Sequence, residues 1–347
     1  MIITRTPYRV SFFGGGTDYP EWYKDHGGSV LSTCIPHYCY LSGRVLPPFF
    51  NHKHRIVWSQ VEKPNLLDEI KHPAIREALK WLEVDLGMEI NHHGDLPARS
   101  GLGSSSSFAV GLLNMLYTLQ EKKITKKDLA NHAIHLESSL LKENVGIQDQ
   151  IITAYGGFNK TEIHEDGSFD VLPIQLQPHR QKEFESRILL FYTGVSRTAS
   201  DIAKDKIKQI PYKTKEMSLI RSLVDTAFNI LTSDDDLDDF GKLLDETWKL
   251  KKSLTSKVSP SYVDDIYNKA INSGALGGKL LGAGGGGFLI FYVPEERKES
   301  VLDSLEDLLL VPFGIENNGS EVLFKEESLY SQTSKLSSKE FFKVNLD

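Results

Sequence analysis

Apolar positions recur along the chain with two periods, and the changes between them mark out the elements. Ile2 to Phe13 is rich in β-branched and aromatic residues and predicts one or two strands. Ser29 to Leu46 alternates and predicts two more, and Ile56 to Val61 another. Pro20 opens a short helix, and helical spacing returns from Pro73 to Glu83. Met88 to His92 predicts a strand that feeds a glycine- and serine-rich turn and then a uniformly apolar helix ending near Leu116. Lys126 to Lys142 predicts one helix, with Ala130, Ala133, Ile134, Leu140 and Leu141 at i, i+3, i+4, i+10 and i+11. The i+7 member of that stripe is Glu137. Asn144 to Gly157 predicts a loop, a short helix and a turn, and Arg187 to Tyr192 a strand. Ser196 to Asp201 predicts a capped helix start carrying Arg197.

The second half reads as mainly helical: Lys213 to Thr232, Asp234 to Leu254 and Ser259 to Ser273. A buried strand from Phe288 to Val293, a helix from Pro294 to Leu310 and a strand from Glu321 to Lys325 complete it. Proline, glutamine and charge accumulate between Leu172 and Arg187, which predicts a domain boundary there. The expected division is 1–180 and 181–330, followed by a polar tail at 331–347.

At 347 residues, 40% hydrophobic and 25% charged, the composition is that of a soluble protein with core enough for two domains. A formal charge of −7 argues against a nucleic-acid or anionic-membrane partner. Cys34 and Cys39 are the only cysteines, too few for a disulfide framework or a thiolate metal site. No apolar run approaches a membrane span and the first residues lack a signal-peptide core, so the expectation is a cytoplasmic protein.

The chemistry is concentrated in Leu96 to Leu116, LPARSGLGSSSSFAVGLLNML. Gly101 and Gly103 permit a tight path, Ser104 to Ser107 suit a helix start, and such a start offers unpaired N–H groups and a positive dipole end. The stretch therefore reads as a phosphate cradle. It is not a Walker A loop, since no Gly-Lys-Ser/Thr follows. It is a poor dinucleotide fingerprint too, since Ser106 holds the third glycine's place. A flexible connector and an unliganded helix cap are the competing readings. Glu137, on an apolar face, is either a rim residue reaching water or a carboxylate held by a cation. Asp149 alone would be a solvated helix-start residue. The glycines from Gly277 to Gly287 mark a close backbone approach, either lining the same cavity from the other side or packing a turn on a helix.

Three segments carry a family resemblance: TPYRVSFFGGGTDY (Thr6–Tyr19), PARSGLGSSSS (Pro97–Ser107) and GGKLLGAGGGG (Gly277–Gly287). Together, in this order and spacing, they resemble the motifs of the GHMP kinases. The resemblance implies an α+β fold of two domains with the active-site cleft between them, and Mg·ATP-dependent phosphorylation of a small-molecule hydroxyl. Within the family, Val145–Asn159, Phe12–Trp22 and Tyr192–Ile202 look like the bacterial heptose kinases, which phosphorylate D-glycero-D-manno-heptose 7-phosphate at the anomeric hydroxyl. Gly15 and Gly16 stand where galactokinases carry Glu and His, which argues against galactose. A kinase of another sugar such as fucose, and a non-catalytic sugar and nucleotide sensor on the same scaffold, are the alternatives.

The resemblance also implies roles. Pro97, Gly101, Leu102, Gly103, Ser104, Ser105 and Ser106 fall at the ATP phosphates, with Gly101, Gly103 and Ser104 as backbone donors. Gly282 and Gly284 close the cleft opposite them. Ser105, with Ser104 or Ser106 as alternatives, and Glu137 become the Mg2+ ligands, since an adjacent dication offsets the desolvation of a carboxylate. Asp149, twelve residues beyond Glu137, becomes the base that accepts or orients the sugar hydroxyl's proton, and Arg9 its cationic neighbour. Gly15, Gly16, Thr17 and Asp18 are expected at the sugar. Arg197, with the His52–Arg55 cluster as a second candidate, is expected at the substrate's phosphate. The partner is a small-molecule sugar phosphate; neither the oligomeric state nor the adenine pocket is legible.

Overall fold

In the computed structural model, which describes residues 1–98, 100–195, 207–254, 258–282 and 284–326, two antiparallel-rich sheets carry the chain. The first has eight strands. Its spine is β1 (Ile2–Phe13) against β2 (Gly28–Val45), with β5 (Met88–Gly94), β3 (Arg55–Val57) and β4 (Val61–Glu62) following on one side. β6 (Phe158–Ile163) pairs with the first part of β2 and then with β7 (Phe169–Pro173). Where two strands were expected between Ser29 and Leu46, the structure has one bent strand. The ladder shifts register where Pro7 pairs with Tyr38 and Tyr8 with Ile35, leaving Pro36 and His37 as a bulge. Proline has no N–H for the ladder, so the strand bends there without ending.

Every position of β1 from Thr6 to Phe13 is buried, which requires cover on both faces. The helices α3 (Ser104–Leu119) and α5 (Gln148–Tyr155) contact it, with α4 (Lys126–Ile134) packed on both. So do α7 (Thr214–Thr232) and α8 (Asp238–Leu254) from the second half. Shorter helices are α1 (Pro20–His26), α2 (Pro73–Trp81) and α6 (Pro178–Ser186), each opening on proline at its first turn as the fixed φ of proline favours.

The second sheet has the order β11–β8–β10–β9, all antiparallel: β8 (Ile188–Tyr192), β9 (Gly277–Leu280), β10 (Phe288–Tyr292) and β11 (Leu309–Val311). α9 (Ser261–Asn272) and α10 (Lys298–Ser304) complete this half. Two expectations are corrected here. The helix expected over Pro294 to Leu310 stops at Ser304, and Leu309 begins the edge strand β11. The last strand, β12 (Glu321–Lys325), was expected to finish the second domain but pairs antiparallel with β1 in the first sheet. Its local pattern fixes a strand and says nothing about which edge receives it.

One core runs across both halves. The Phe12 ring lies 5.7 Å from Phe184 of α6 and 5.4 Å from Phe240 of α8, both edge-on. Beside it, Lys279 of β9 is 3% exposed and donates to the Ser11 carbonyl at 2.9 Å and the Phe12 carbonyl at 2.7 Å. A buried ammonium is tolerable only with its donors matched, and these two carbonyls bind the sheets to each other. No helix among the described residues is long and apolar enough to cross a membrane. Replacing Lys279 by Met keeps the length of the side chain and takes the ammonium donor away from both carbonyls. Lys279→Met is expected to lower the unfolding free energy by about 2 kcal/mol in a urea titration; an unchanged midpoint would contradict the bridging role.

Candidate active site

Gly103, at φ +74°, is the N-cap of α3, and no side chain caps the helix. The serines expected as caps instead fill the first turn, which leaves that turn's N–H groups facing the loop rather than a hydroxyl. Gly101 takes φ +89°. Ser100 Oγ donates to the carbonyl of Pro97 at 2.6 Å and closes the bend, while Pro97 itself is exposed. Ser107 turns inward and donates to the Pro7 carbonyl at 2.9 Å, anchoring the helix start on β1.

Arg9 organises what lies in front of this turn. Its side chain is buried and its backbone N–H donates to the Leu102 carbonyl at 3.0 Å. Nε and Nη2 donate to the two carboxylate oxygens of Asp149 at 2.7 and 2.6 Å, and Nη1 donates to the Gly101 carbonyl at 2.6 Å. The planar fork matches a carboxylate with two parallel bonds, the strongest form of this pair. A Cβ on Gly103 would lie 3.0 Å from Arg9 Cγ and 3.4 Å from Asp149 Oδ2. The helix start thus touches the ion pair directly.

Glu137 lies on a π-type turn, His135–Leu140, where the Leu141 N–H reaches back to the Leu136 carbonyl at 2.9 Å. The helix expected over Lys126 to Lys142 runs without a gap to Leu140 and widens to π-type spacing around the carboxylate, a placement common for functional side chains. Glu137 is 0% exposed. Ser105 Oγ donates to its Oε1, and Ser106 Oγ and Gln150 Nε2 donate to its Oε2 at 2.6 and 2.5 Å. Burial pushes its pKa up to about 7, against the pull of these three donors. Gln150 follows Asp149 on α5, so one helix ties the two acidic groups together. This role of Gln150 was missed in the sequence, where its only signal was adjacency to Asp149.

A hard divalent cation fits this donor set. The carboxylate is buried among hydroxyls and an amide, and a dication would relieve the desolvation that raises its pKa. No cluster of three or more His, Cys, Asp or Glu side chains suited to a metal occurs among the described residues. One carboxylate and a serine hydroxyl would leave the other positions of such an ion to oxygen donors from outside this pair.

Asp18 is buried in the loop after β1 and accepts from the Gly16 N–H at 2.8 Å. Its carbonyl takes the Ile147 N–H at 3.1 Å, and Gly146 lies against its carboxylate, so it sits beside the start of α5. Tyr19 has its phenol pKa raised by burial first, with the charges of Asp18 and Asp149 adding to the effect. The site thus gathers Arg9, Asp18, Tyr19, Gly101, Gly103 and Asp149.

Other expectations are corrected. Thr17 is fully buried, donates to the carbonyls of Gly14 and Ser29, and accepts from the Ser29 N–H, so its hydroxyl shapes the loop and does not face a substrate. In the His52–Arg55 cluster, Arg55 pairs with Glu89, Lys53 pairs with Asp85 at 3.3 Å, and His54 is buried with its pKa lowered to about 4 by burial. Arg55 and His54 are thus committed to the fold, whereas the Lys53–Asp85 pair is solvent-exposed and His52 Nε2 has no partner among the described residues. A Cβ on Gly282 would meet Gly101 Cα at 2.5 Å, and one on Gly284 would meet the Val258 carbonyl at 2.8 Å. Gly282 is thus laid directly on the first loop, the side on which it was expected to close the cleft, while Gly284 packs on Val258. Arg197, Ala283 and the 331–347 tail lie outside the described residues.

Residues 68–157 match the GHMP kinases N terminal domain and residues 229–309 the GHMP kinases C terminal domain. The chain belongs to the GHMP kinases, phosphotransferases that take a hydroxyl as acceptor and ATP as donor. Among curated proteins it is 28% identical to the D-glycero-alpha-D-manno-heptose 7-phosphate kinase of Campylobacter jejuni, over 88% of this chain and 93% of that one. It is 25% identical to the galactokinase of Pyrococcus furiosus, over 88% of this chain and 92% of that one. The crystal structure of a D-glycero-D-manno-heptose 1-phosphate kinase from Bacteriodes thetaiotaomicron superposes with a TM-score of 0.77 at 23% identity, over 94% of this chain and 100% of that one. The fold and the kinase class expected from the three motifs are thereby met.

In metal-free protein, Glu137 makes stability depend on pH. Its folded pKa stands above the ordinary 4.5, so the native state holds the proton more tightly and loses stability as pH rises from about 4.5 through 7. Glu137→Gln stays neutral throughout. Urea titrations without metal should show the variant gaining about 2.5 kcal/mol on the wild type between pH 5 and pH 8. A constant difference across that window would contradict the buried-carboxylate account.

Proposed function

We propose that the protein is a cytoplasmic sugar-phosphate kinase that transfers the γ-phosphate of ATP to the anomeric hydroxyl of D-glycero-D-manno-heptose 7-phosphate, giving the 1,7-bisphosphate. The observation that carries the phosphotransfer reading is the two-bond hold of Arg9 on Asp149 directly beside the helix-start glycine Gly103. Support for the heptose comes from the likeness to a heptose 7-phosphate kinase along nearly the whole chain, and from the bare Gly15 and Gly16 in the loop before Asp18.

The N–H groups of the first turn of α3, with Gly101 and Gly103 admitting close approach, receive the β- and γ-phosphates. Asp149, oriented by Arg9, accepts the hydrogen bond of the acceptor hydroxyl and takes its proton as the new O–P bond forms and the bond to ADP breaks. The remaining charge of Arg9 lies where negative charge is transferred. Asp18 accepts from sugar hydroxyls. Ser105 and Glu137 would hold Mg2+, which when bound neutralises phosphate charge. Arg197 is proposed for the substrate's own phosphate, because a guanidinium matches phosphate geometry. A sensor without chemistry would have no use for a carboxylate held in this orientation.

A screen settles the acceptor: heptose 7-phosphate, unphosphorylated heptose, fucose, galactose and mevalonate, each with Mg·ATP, with product position assigned by phosphorus NMR. The expected result is ADP formation with heptose 7-phosphate and a new anomeric phosphate signal. Asp149→Asn in the same assay should lose two or more orders of magnitude in turnover while binding ATP almost as before. Preferred turnover of another sugar would overturn the heptose assignment. Full activity of Asp149→Asn would overturn the role of the carboxylate.

A further inference from the structure

Ser11 has no part in the transfer described above. It stands two residues after Arg9 on β1, in unbroken register (Arg9 opposite Cys34, Ser11 opposite Ser32), so both side chains leave the strand on the same face. It is 7% exposed, and its Oγ has no hydrogen-bond partner among the described residues. Gln148, the residue directly before Asp149, also has a buried side-chain oxygen without a partner. Buried polar atoms are nearly always satisfied, so two orphans together call for an explanation.

They meet at Gly15. A Cβ built there would lie 3.6 Å from Ser11 Oγ and 3.8 Å from Gln148 Nε2, both ordinary contacts. Its neighbours need to be glycine: Gly14 and Gly16 take φ +80° and +118°, and a Cβ on Gly14 would lie 1.9 Å from the Ser29 carbonyl. Gly15 has neither a left-handed backbone nor a clash. The backbone therefore does not account for its missing side chain. What the glycine leaves is a notch in the loop that carries Asp18, floored by a hydroxyl and an amide, one residue from Asp149.

We infer that this notch recognises one secondary hydroxyl of the acceptor sugar, and that Ser11, Gln148 and Gly15 together select among sugars. The inference rests on the sugar-kinase reading and deepens it. A hydroxyl is the group that fits, because it can both donate and accept, and so hydrogen-bond to the Gln148 amide and to Ser11 Oγ at the same time. A hydrogen or methyl in its place leaves both orphans unpaired, and sites built this way reject the lacking analogue strongly. Ser11 and Gln148 are specificity residues; the proton transfer stays with Asp149.

The test uses the full-length protein at saturating Mg·ATP, with the sugar phosphate that the acceptor screen ranks first and its series of monodeoxy analogues. Wild type should discriminate against one analogue by at least a hundredfold in kcat/KM. Ser11→Ala and Gln148→Met should each cut that discrimination at least tenfold, with the loss on the parent sugar appearing in KM and the KM for ATP unmoved. Gly15→Ala, whose methyl fills the notch, should raise the KM of the parent at least tenfold and leave that one analogue near its wild-type value. The three variants are independent, so any one that fails to fold leaves the other two to decide. Discrimination equal to wild type in the folded variants, or a uniform loss over the whole series, would overturn the notch alone. A wild type that phosphorylates no sugar would overturn the kinase reading and the notch together.

Discussion

Arg9 joins three separate parts of the chain with one rigid group. Its guanidinium holds Asp149 of α5 by two bonds and the Gly101 carbonyl by a third, and its own N–H fixes the Leu102 carbonyl. At 5% exposure this cation is costly to desolvate, and only the matched carboxylate and carbonyl make it tolerable. Removing either partner of such a pair typically costs about 3–5 kcal/mol, because the other charge is left alone. The strand, the helix start and the acidic group are thus set against one another before any substrate arrives, which is what phosphoryl transfer needs from its protein.

The glycine loops answer to the same constraint. Gly101 and Gly282 approach backbone to backbone, and a Cβ on Gly287 would lie 2.1 Å from the Ser100 carbonyl. Lys251 of α8, buried, donates to the carbonyls of Leu280 and Gly282 and fixes the second loop where it meets the first. The turn that opens α3 is therefore backed by peptide rather than by side chains. Its shape depends on both sheets, and Lys279 reaching across to β1 is part of the same bracing.

Much of this was legible in the sequence because it is local. Gly103 followed by serines and an apolar run specifies a helix start, and the stripe through Ala130, Ala133 and Ile134 singles out Glu137 as a carboxylate where an apolar residue belongs. What was not legible depends on partners far along the chain. The bend at Pro36 follows from its partner strand, β12 has the same pattern on either sheet, and the hydroxyl of Thr17 is consumed by Ser29 across the loop. The π-type turn that carries Glu137 widens the helix without any glycine or proline to announce it. The density of glycine at 277–287 correctly indicates close approach, yet nothing local names Gly101 and Ser100 as what is approached.

The central claim is that Arg9 and Asp149 act as one unit in transfer. A double-mutant cycle on turnover with Arg9→Met, Asp149→Asn and the pair tests it most directly, with each variant confirmed folded by its thermal melt. The account predicts strong non-additivity, the double variant being little slower than the worse single one. Losses that multiply in the double variant would show two independent residues and contradict the account.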